Sequence, residues 1–252
     1  MTICYFTASG NCLYVARKIG GKLLSIPQLM KQDSIVIEDE AIGVVCPVYA
    51  VEMPVMVKHF LEKATIKTDY FFFIYTYGMG YAEAFAHVKQ SCQKTGLKLS
   101  YINAIQMVDN YLPGFEMQNQ LDTLPKKNVE GQLKAVCRDI AERKETEVKI
   151  TAATKAKMAM YQNMLAKRIL RGDAALAYIV NDNCTRCGIC AKVCPANNIT
   201  VTDKVSFGNR CEVCYACLHN CPQNALHMKN EKSAVRFRNE NVSLKDIIEA
   251  NE

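Results

Sequence analysis

The first 150 residues alternate between short apolar runs and longer amphipathic runs. The apolar, β-prone runs predict strands at 1–6, 23–26, 41–46, 70–76 and within 97–108. The helical periodicity between them predicts helices at 12–19, 54–63, 81–95 and 129–144. Strands that are apolar throughout are typical of parallel sheets buried on both faces. The pattern therefore predicts an α/β fold with a doubly wound parallel sheet covered by helices on both sides.

The pattern changes after residue 150. Residues 151–171 carry an apolar stripe at Met158, Tyr161, Leu165 and Ile169, with basic residues on the other face. We interpret this segment as a linker helix, and the alternative is a helix for a membrane surface or an acidic partner. A capping-box sequence at Ser243–Asp246 predicts a short final helix. The predicted units are 1–150, the linker helix 151–173, a cysteine-rich domain 174–230 and a tail 231–252 that packs on the body.

Thirteen cysteines are present, and eight of them lie between Cys184 and Cys221. They form two copies of C-x2-C-x2-C-x3-C-P, 27 residues apart. This spacing is the ligation pattern of bacterial iron–sulfur proteins, in which the fourth cysteine binds the other cluster. Zinc sites use pairs of ligands across longer loops, so the pattern favours two [4Fe–4S] clusters over zinc.

The crossed arrangement predicts one ligand set for each cluster. The first cluster is expected at Cys184, Cys187, Cys190 and Cys221, and the second at Cys211, Cys214, Cys217 and Cys194. We expect each fourth cysteine to begin a short helix and point away from its own repeat. Tyr215 stands where the first repeat has Gly188, so we expect it to shield the second cluster. His219 is expected to be a packing residue rather than a ligand.

A hydroxyl-rich loop follows the first predicted strand and precedes a helix. Its residues are Thr7, Ala8, Ser9, Gly10, Asn11 and Cys12. Backbone N–H groups converge at such a helix N-terminus, which makes it a candidate anion site. Neither the Walker sequence nor G-x-G-x-x-G occurs in the chain.

Two more loops follow later strands and are expected at the same edge of the sheet. They span 47–53 and 76–81, and their tyrosines, Tyr49, Tyr77 and Tyr81, are suited to stacking on a flat ring. The candidate binding residues in these loops are Pro47, Val48, Tyr49, Ala50, Thr76, Tyr77, Gly78 and Gly80.

Residues 1–150 resemble the flavodoxins in these loops, and 174–230 resemble the two-cluster bacterial ferredoxins. The whole chain is similar to the fused flavodoxin–ferredoxin proteins of anaerobic bacteria and archaea. The first resemblance implies the strand order 2-1-3-4-5, an FMN phosphate at 7–12, and the isoalloxazine between the other two loops.

Two departures stand out against the flavodoxin pattern. Cys12 replaces a common threonine, and a thiol is a weak hydrogen-bond donor. Ala50 and Val51 replace a frequent glycine, and we expect the β-branched Val51 to resist positive φ.

The resemblance implies an electron-transfer protein that relays electrons between two low-potential clusters and FMN. Redox proteins, such as ferredoxin-linked enzymes, would be its donor and acceptor. One alternative is an iron–sulfur flavoprotein reductase, with a small-molecule pocket lined by 109–125. Another is a ferredoxin whose first domain docks proteins without FMN. We assign no catalytic residue, because none of the five scattered cysteines has an adjacent histidine.

The net charge of +6 does not indicate nucleic-acid binding. Residues 151–180 carry five basic side chains and one acidic one, so much of the excess lies in one short segment rather than on a broad face. No apolar run approaches the roughly 20 residues of a membrane helix. The N-terminal residues lack the pattern of a signal peptide, and we therefore predict a cytoplasmic location.

Overall fold

The computed structural model describes all 252 residues and contains eleven short strands. In chain order they are β1 (Thr2–Tyr5), β2 (Lys22–Ser25), β3 (Val36–Glu38), β4 (Ala41–Pro47), β5 (Thr65–Lys67), β6 (Tyr70–Tyr77), β7 (Leu99–Gln106), β8 (Tyr178–Val180), β9 (Ile199–Val201), β10 (Val205–Phe207) and β11 (Leu226–Met228). Five of them form one parallel sheet in the order β2-β1-β4-β6-β7. Counted within that sheet, the order is 2-1-3-4-5, which confirms the predicted doubly wound fold.

Helices connect the strands and cover the sheet. They are α1 (Asn11–Ile19), α2 (Ile26–Leu29), α3 (Val55–Lys63), α4 (Ala84–Thr95), α5 (Met117–Asp122), α6 (Val129–Ala141), α7 (Ala152–Tyr161), α8 (Lys167–Ile169), α9 (Ile189–Lys192), α10 (Ala216–His219) and α11 (Leu244–Asn251). The four helices predicted in the first 150 residues are α1, α3, α4 and α6, and their bounds differ from the prediction by up to three residues. In strand β6, all residues from Tyr70 to Thr76 are buried. Because successive side chains of a strand point to opposite faces, both faces of the sheet are covered here.

Close packing at the sheet centre depends on Gly43 in β4. A Cβ atom there would lie 2.1 Å from the ring of Phe72 in β6, far inside van der Waals contact. Phe72 is fully buried in a core cluster of 44 residues that joins both faces of the sheet. Any larger residue at position 43 would displace this ring, because protein cores are close-packed.

Three features of this region were not predicted from the sequence, the first being the short helix α2. Strands β3 and β5 form a separate two-stranded parallel pair. The segment 109–125 contains α5 and the start of a 3-10 turn at Leu124–Lys127 rather than an open loop.

The cysteine-rich region is built from two antiparallel strand pairs and two short helices. β8 pairs with β11, and β9 pairs with β10. A second core cluster of 13 residues lies here, and it includes Val108 and Leu112 from the segment after β7. The cysteine-rich region and the end of the main sheet therefore share one apolar core.

The predicted linker helix is continuous from α7 to α8 through a π-helical turn at Gln162–Ala166. Only Met158 on it is fully buried, while Met160 and Met164 are exposed. No helix in the structure has both the length and the apolar character needed to cross a membrane.

Residues 231–252 pack against the N-terminal part of the chain. The capping box predicted at Ser243 and Asp246 is confirmed, and it starts α11. The Arg17 guanidinium of α1 pairs with Asp246, and its hydrogen bond lowers the pKa of that carboxyl. Ser25, at the end of β2, donates a hydrogen bond to the carbonyl of Ala250. The tail thereby contacts the edge of the main sheet.

Candidate functional site

Segments that follow four neighbouring strands meet at the carboxyl edge of the main sheet. They follow β1, β4, β6 and β7, and together they line an open cavity. The predicted binding residues that line it are Thr7, Ala8, Ser9, Asn11, Cys12, Pro47, Val48, Tyr49, Thr76, Tyr77 and Gly78. We call this the anion cavity. The three loops singled out in the sequence are thus brought together around one space.

The fourth segment contributes Val108, Asp109 and Asn110, which are absent from the predicted binding set. In the sequence analysis, this segment enters only through the reductase alternative, whose pocket is lined by 109–125. The rule that strand ends share one sheet edge, applied also to β7, would have identified them.

Gly10 does not line the anion cavity but shapes the loop behind it. It precedes α1 with φ of 99°, a left-handed conformation that favours glycine. A Cβ atom on Gly10 would lie 3.0 Å from the side chains of Asn239 and Val242. The loop is therefore pressed between α1 and the tail, with no space for a side chain at this position.

Two buried hydroxyl groups at the anion cavity have no hydrogen-bond partner. They are Thr7 Oγ1 and Tyr49 Oη. Leaving a buried polar group unpaired costs roughly 1–3 kcal/mol, so such atoms point to a missing ligand. A phosphate and a ring with polar edges, the groups that a flavin nucleotide carries, supply the acceptors and donors that these hydroxyls need.

Cys12 behaves differently from the expectation of a weak phosphate donor. Its Sγ lies 3.1 Å from Thr76 Oγ1, so its hydrogen bond is made to the chain itself. Burial raises the pKa of the Cys12 thiol to about 12. Cys12 is therefore a neutral link between the loops that follow β1 and β6.

A larger and mostly apolar cavity of about 600 Å³ adjoins the anion cavity. The two share Val48, Tyr49, Asp109 and Asn110. We call the larger one the apolar cavity. Ala50 and Gly80, the remaining predicted binding residues, line it, as do three linker-helix residues and two from the cysteine-rich region. These five residues are Leu165, Ile169, Leu170, Val213 and Tyr215.

Asp109 is the one charged side chain on the apolar cavity. Burial raises the pKa of its carboxyl above the ordinary value, although the N–H of Tyr111 donates to it at 3.0 Å. A carboxyl group with a raised pKa is suited to holding a proton near the cavity.

The expectation that Val51 resists positive φ is wrong. Ala50 has φ of 48° and Val51 has φ of 62°. Two backbone hydrogen bonds between Tyr49 and Glu52, of 2.8 and 2.9 Å, close the turn around them. The turn overrides the preference of the β-branched residue, and strain of this kind persists only where the surroundings enforce it.

The eight repeat cysteines line two further cavities, four in each. Cys184, Cys187, Cys190 and Cys221 surround one of them. Cys194, Cys211, Cys214 and Cys217 surround the other. No three His, Cys, Asp or Glu side chains converge closely enough to bind a single metal ion. The thiols instead stand around a space, and each cavity combines three cysteines of one repeat with the fourth of the other.

The two repeats have the same backbone conformation at matching positions. Positive φ occurs at Arg186, Gly188 and Asn197, and again 27 residues later at Val213, Tyr215 and Asn224. The N–H of Asn198 donates to Cys194 Sγ at 3.3 Å, and that of Ala225 donates to Cys221 Sγ at 3.2 Å. The expectation that each fourth cysteine begins a helix is wrong. α9 and α10 precede Cys194 and Cys221 and carry the third cysteines, Cys190 and Cys217.

The surroundings of the two sets differ. Cys187 is exposed in the first set, whereas Cys214 and Cys217 are buried in the second. Tyr215 and Tyr178 cover the second set, and both rings are more than nine-tenths buried. Burial raises the pKa of the Cys214 and Cys217 thiols well above the ordinary value. Thiolates in such a place need a metal centre to stabilise their charge.

His219 lies between the cysteine-rich region and the edge of the main sheet. Its Nε2 is 2.8 Å from the carbonyl of Asn110, and its Nδ1 accepts from the N–H of Phe237 at 3.1 Å. Burial lowers its pKa to about 4. His219 is therefore a neutral, fully paired packing residue, as predicted.

A model of the 4Fe–4S binding domain matches residues 177–200, which hold the first four repeat cysteines. The chain carries an iron–sulfur domain. A comparison with curated proteins finds no match.

Among solved structures, the chain is similar to a putative flavoprotein from Bacteroides uniformis ATCC 8492, at 12% identity with a TM-score of 0.34. That match covers 49% of this chain and 97% of the other. A putative flavoprotein from Bacteroides eggerthii DSM 20697 gives 14% identity, a TM-score of 0.33, and coverage of 49% and 96%. A flavodoxin from the domain Archaea gives 14% identity, a TM-score of 0.29, and coverage of 53% and 97%. The assignment of the fold rests on the strand order rather than on these low scores.

Proposed function

We propose that this chain is an electron-transfer protein that relays electrons between two [4Fe–4S] clusters and one FMN. In this proposal, residues 1–150 bind FMN, 151–173 form the linker helix, and 174–230 hold the clusters. Residues 231–252 pack on the body as a tail. The donor and acceptor are other redox proteins.

The proposed ligand sets follow the crossed arrangement. Support comes from the two cysteine cavities, because each is lined by one complete predicted set and by no cysteine of the other. The proposed flavin residues are those of the anion cavity and of the adjoining turn at Ala50 and loop at Gly80. Support for the phosphate position comes from the unpaired Thr7 hydroxyl beside the N-terminus of α1.

The single observation that carries the relay is the position of Tyr215. Its side chain lines the cavity of the second cysteine set and also the apolar cavity next to the anion cavity. The Nδ2 of Asn110, which lines both cavities at the sheet edge, lies 3.5 Å from the carbonyl of Cys214. The proposed flavin and the second proposed cluster thus share a wall, as electron exchange between them requires. A flavin supplies two-electron capacity, and each cluster supplies one electron.

The decisive experiment is purification without oxygen, followed by analysis of iron, sulfide and released flavin per chain. We expect about eight iron atoms, about eight sulfides and one FMN. Eight iron atoms with no flavin, even after FMN is added, would leave a ferredoxin with a docking domain. About four iron atoms would remove one of the two clusters from the proposal.

A reductase is the second candidate, and the apolar cavity favours it. The cavity, of about 600 Å³, lies within the roughly 300–1,000 Å³ of ordinary ligand pockets, and Asp109 offers a carboxyl of raised pKa beside it. The test is turnover of candidate apolar acceptors by the loaded protein, with Asp109→Asn as the comparison. A saturable substrate whose turnover falls in the variant would support a reductase, since an exposed flavin reduces many dyes without saturation.

A further inference from the structure

A network of asparagines joins the anion loop (Thr7–Cys12) to the cysteine-rich region and the tail. Asn11, Asn220 and Asn239 are buried, and Asn110 is half-buried. None of these amides was singled out for this role in the sequence, and they come from four distant segments. Together with His219, they make the hydrogen bonds that hold the loop from behind.

Asn220 provides the most direct link. It lies between Cys217, of the second cysteine set, and Cys221, of the first. Its Nδ2 donates to the carbonyl of Ala8 at 3.2 Å and to the carbonyl of Ala216 at 2.9 Å. The buried side chain of Asn220 thus connects the anion loop to α10, the helix that carries Cys217.

His219, the residue before Asn220, makes a second link to the anion loop. His219 accepts at Nδ1 from the N–H of Phe237, so its Nε2 carries the hydrogen and donates to the carbonyl of Asn110. The Nδ2 of Asn110 in turn donates to Ser9 Oγ at 3.1 Å. A second path therefore runs from α10 to the anion loop.

The tail completes the network. The N–H of Asn239 donates to the carbonyl of Ser9 at 2.8 Å, and its Nδ2 donates to Asn11 Oδ1 at 3.2 Å. The Nδ2 of Asn11 then donates to the carbonyl of Val108 at 3.1 Å. The segment after β7, the residue after α10 and the tail are therefore each hydrogen-bonded to the anion loop.

We propose that flavin binding at the anion loop is coupled to cluster loading through Asn220, His219 and Asn239. The inference rests on the proposed function and adds a regulation of the same site. Metal binding orders cysteine segments that do not hold their conformation alone. With the cysteine sets filled, Cys217 in α10 and Cys221 just after it are held in place, and Asn220 between them holds the carbonyl of Ala8. With them empty, α10 loses its anchors and the loop loses the bonds that set its shape.

Coupling of this kind is reciprocal. If cluster loading raises the affinity for FMN, then bound FMN stabilises the loaded cysteine sets by the same free energy. Simple packing of the tail against the sheet predicts no such dependence, because it leaves the loop in one conformation whether or not the cysteines are filled.

The first test measures FMN affinity in the full chain by flavin fluorescence, with clusters loaded and after iron removal by a chelator. We expect FMN to bind roughly 5- to 100-fold more weakly after iron removal, the usual range of coupling between sites. Equal affinity in the two states would overturn the coupling and leave the proposed function intact. No FMN binding by the loaded chain would overturn the proposed function together with the coupling.

The second test uses variants that keep the cysteines. Asn220→Ala and Asn220→Asp both remove the donor to Ala8, and Asn241→Ala is the matched control, since Asn241 is exposed and only its backbone N–H bonds in the network. We expect either Asn220 variant to weaken FMN binding by the loaded chain about fivefold, the effect of one hydrogen bond. The dependence on cluster loading should shrink by a similar factor. A control that weakens FMN as much as the Asn220 variants would contradict the assignment.

A third measurement covers the case in which the Asn220 variants lose iron during purification. In the unaltered chain, saturating FMN is expected to raise the amount of iron retained at equilibrium with a ferrous chelator. The same amount of retained iron with and without FMN would overturn the reciprocal effect and with it the proposal.

Discussion

The two cysteine sets have the same ligand spacing and the same backbone conformation but different surroundings. The first has Cys187 at the surface and Gly188 beside it. The second lies under Tyr215 and Tyr178, with two of its four cysteines buried. A repeated motif therefore fixes the arrangement of the ligands, whereas the residues between the cysteines decide what each set faces. The first set faces solvent, and the second faces the apolar cavity.

The largest expected effect tests which cysteines belong to which set. Cys221→Ser is expected to remove about half of the iron, and adding Cys187→Ser should remove no more, because both residues belong to the first proposed cluster. Adding Cys214→Ser to Cys221→Ser should remove nearly all of it. Iron per chain is the measurement. Iron loss that follows the repeats instead of the crossed sets would break the assignment on which the comparison depends.

The two cysteine sets should release iron at different rates, because they differ in solvent exposure. We expect iron release to a chelator in two phases of equal amplitude, the faster one from the set with the exposed Cys187. Cys187→Ser, which removes the first cluster, should abolish the fast phase and leave the slow one. A single phase in the unaltered protein would show that the tyrosines do not protect the second set.

Substitutions at the matching positions 188 and 215 should lower the free energy of unfolding by different amounts. Tyr215→Gly removes a buried ring, which costs roughly 3–5 kcal/mol, and relieves about 1–2 kcal/mol of left-handed strain. We expect a net loss of about 2–3 kcal/mol in the free energy of unfolding, measured with denaturant without oxygen. Gly188→Ala should cost only about 1–2 kcal/mol, since the space around its Cβ is open and only φ is strained. Equal losses at the two positions would show that the Tyr215 ring contributes no packing.

The smallest effect is expected at the asparagines that follow the fourth cysteines. Asn197 and Asn224 both have positive φ, so replacement by alanine should cost about 1 kcal/mol at each. Asn224→Ala should cost slightly more, because the Nδ2 of Asn224 also donates to the carbonyl of Ala234 at 3.1 Å. Denaturant midpoints of the two variants give this comparison. A much larger loss at Asn197 would contradict the equivalence of the two backbones.

Local patterns predicted the sheet and the cysteine sets well. The seven residues from Tyr70 to Thr76 are all apolar or hydroxyl-bearing, and turn-forming residues lie on both sides of them. This pattern is typical of a strand buried in a parallel sheet. The cysteine spacing likewise predicted which four cysteines line each cavity, since three thiols within seven residues share one tight loop. The capping box at Ser243 also depends only on neighbours in sequence.

What escaped prediction depends on contacts between distant residues. Asn11 and Asn239 are 228 positions apart, and no local pattern marks an asparagine that bonds across such a distance. Val51 adopts positive φ because Tyr49 and Glu52 close the turn, and propensity alone predicts the opposite. The short helices lie before the fourth cysteines because each carries the third one, a detail that the spacing does not decide.

The tail contact with the anion loop has a consequence for the order of events during synthesis. The loop is made before Asn220, which reaches it from 212 positions further along, and Asn239 follows later still. Domains generally fold from the N-terminus as the chain emerges from the ribosome. The sheet can therefore form early, while its anion loop acquires its final shape only after the cysteine-rich region has been translated. We expect flavin to be the last cofactor acquired, and nascent chains that stop before residue 220 to retain none.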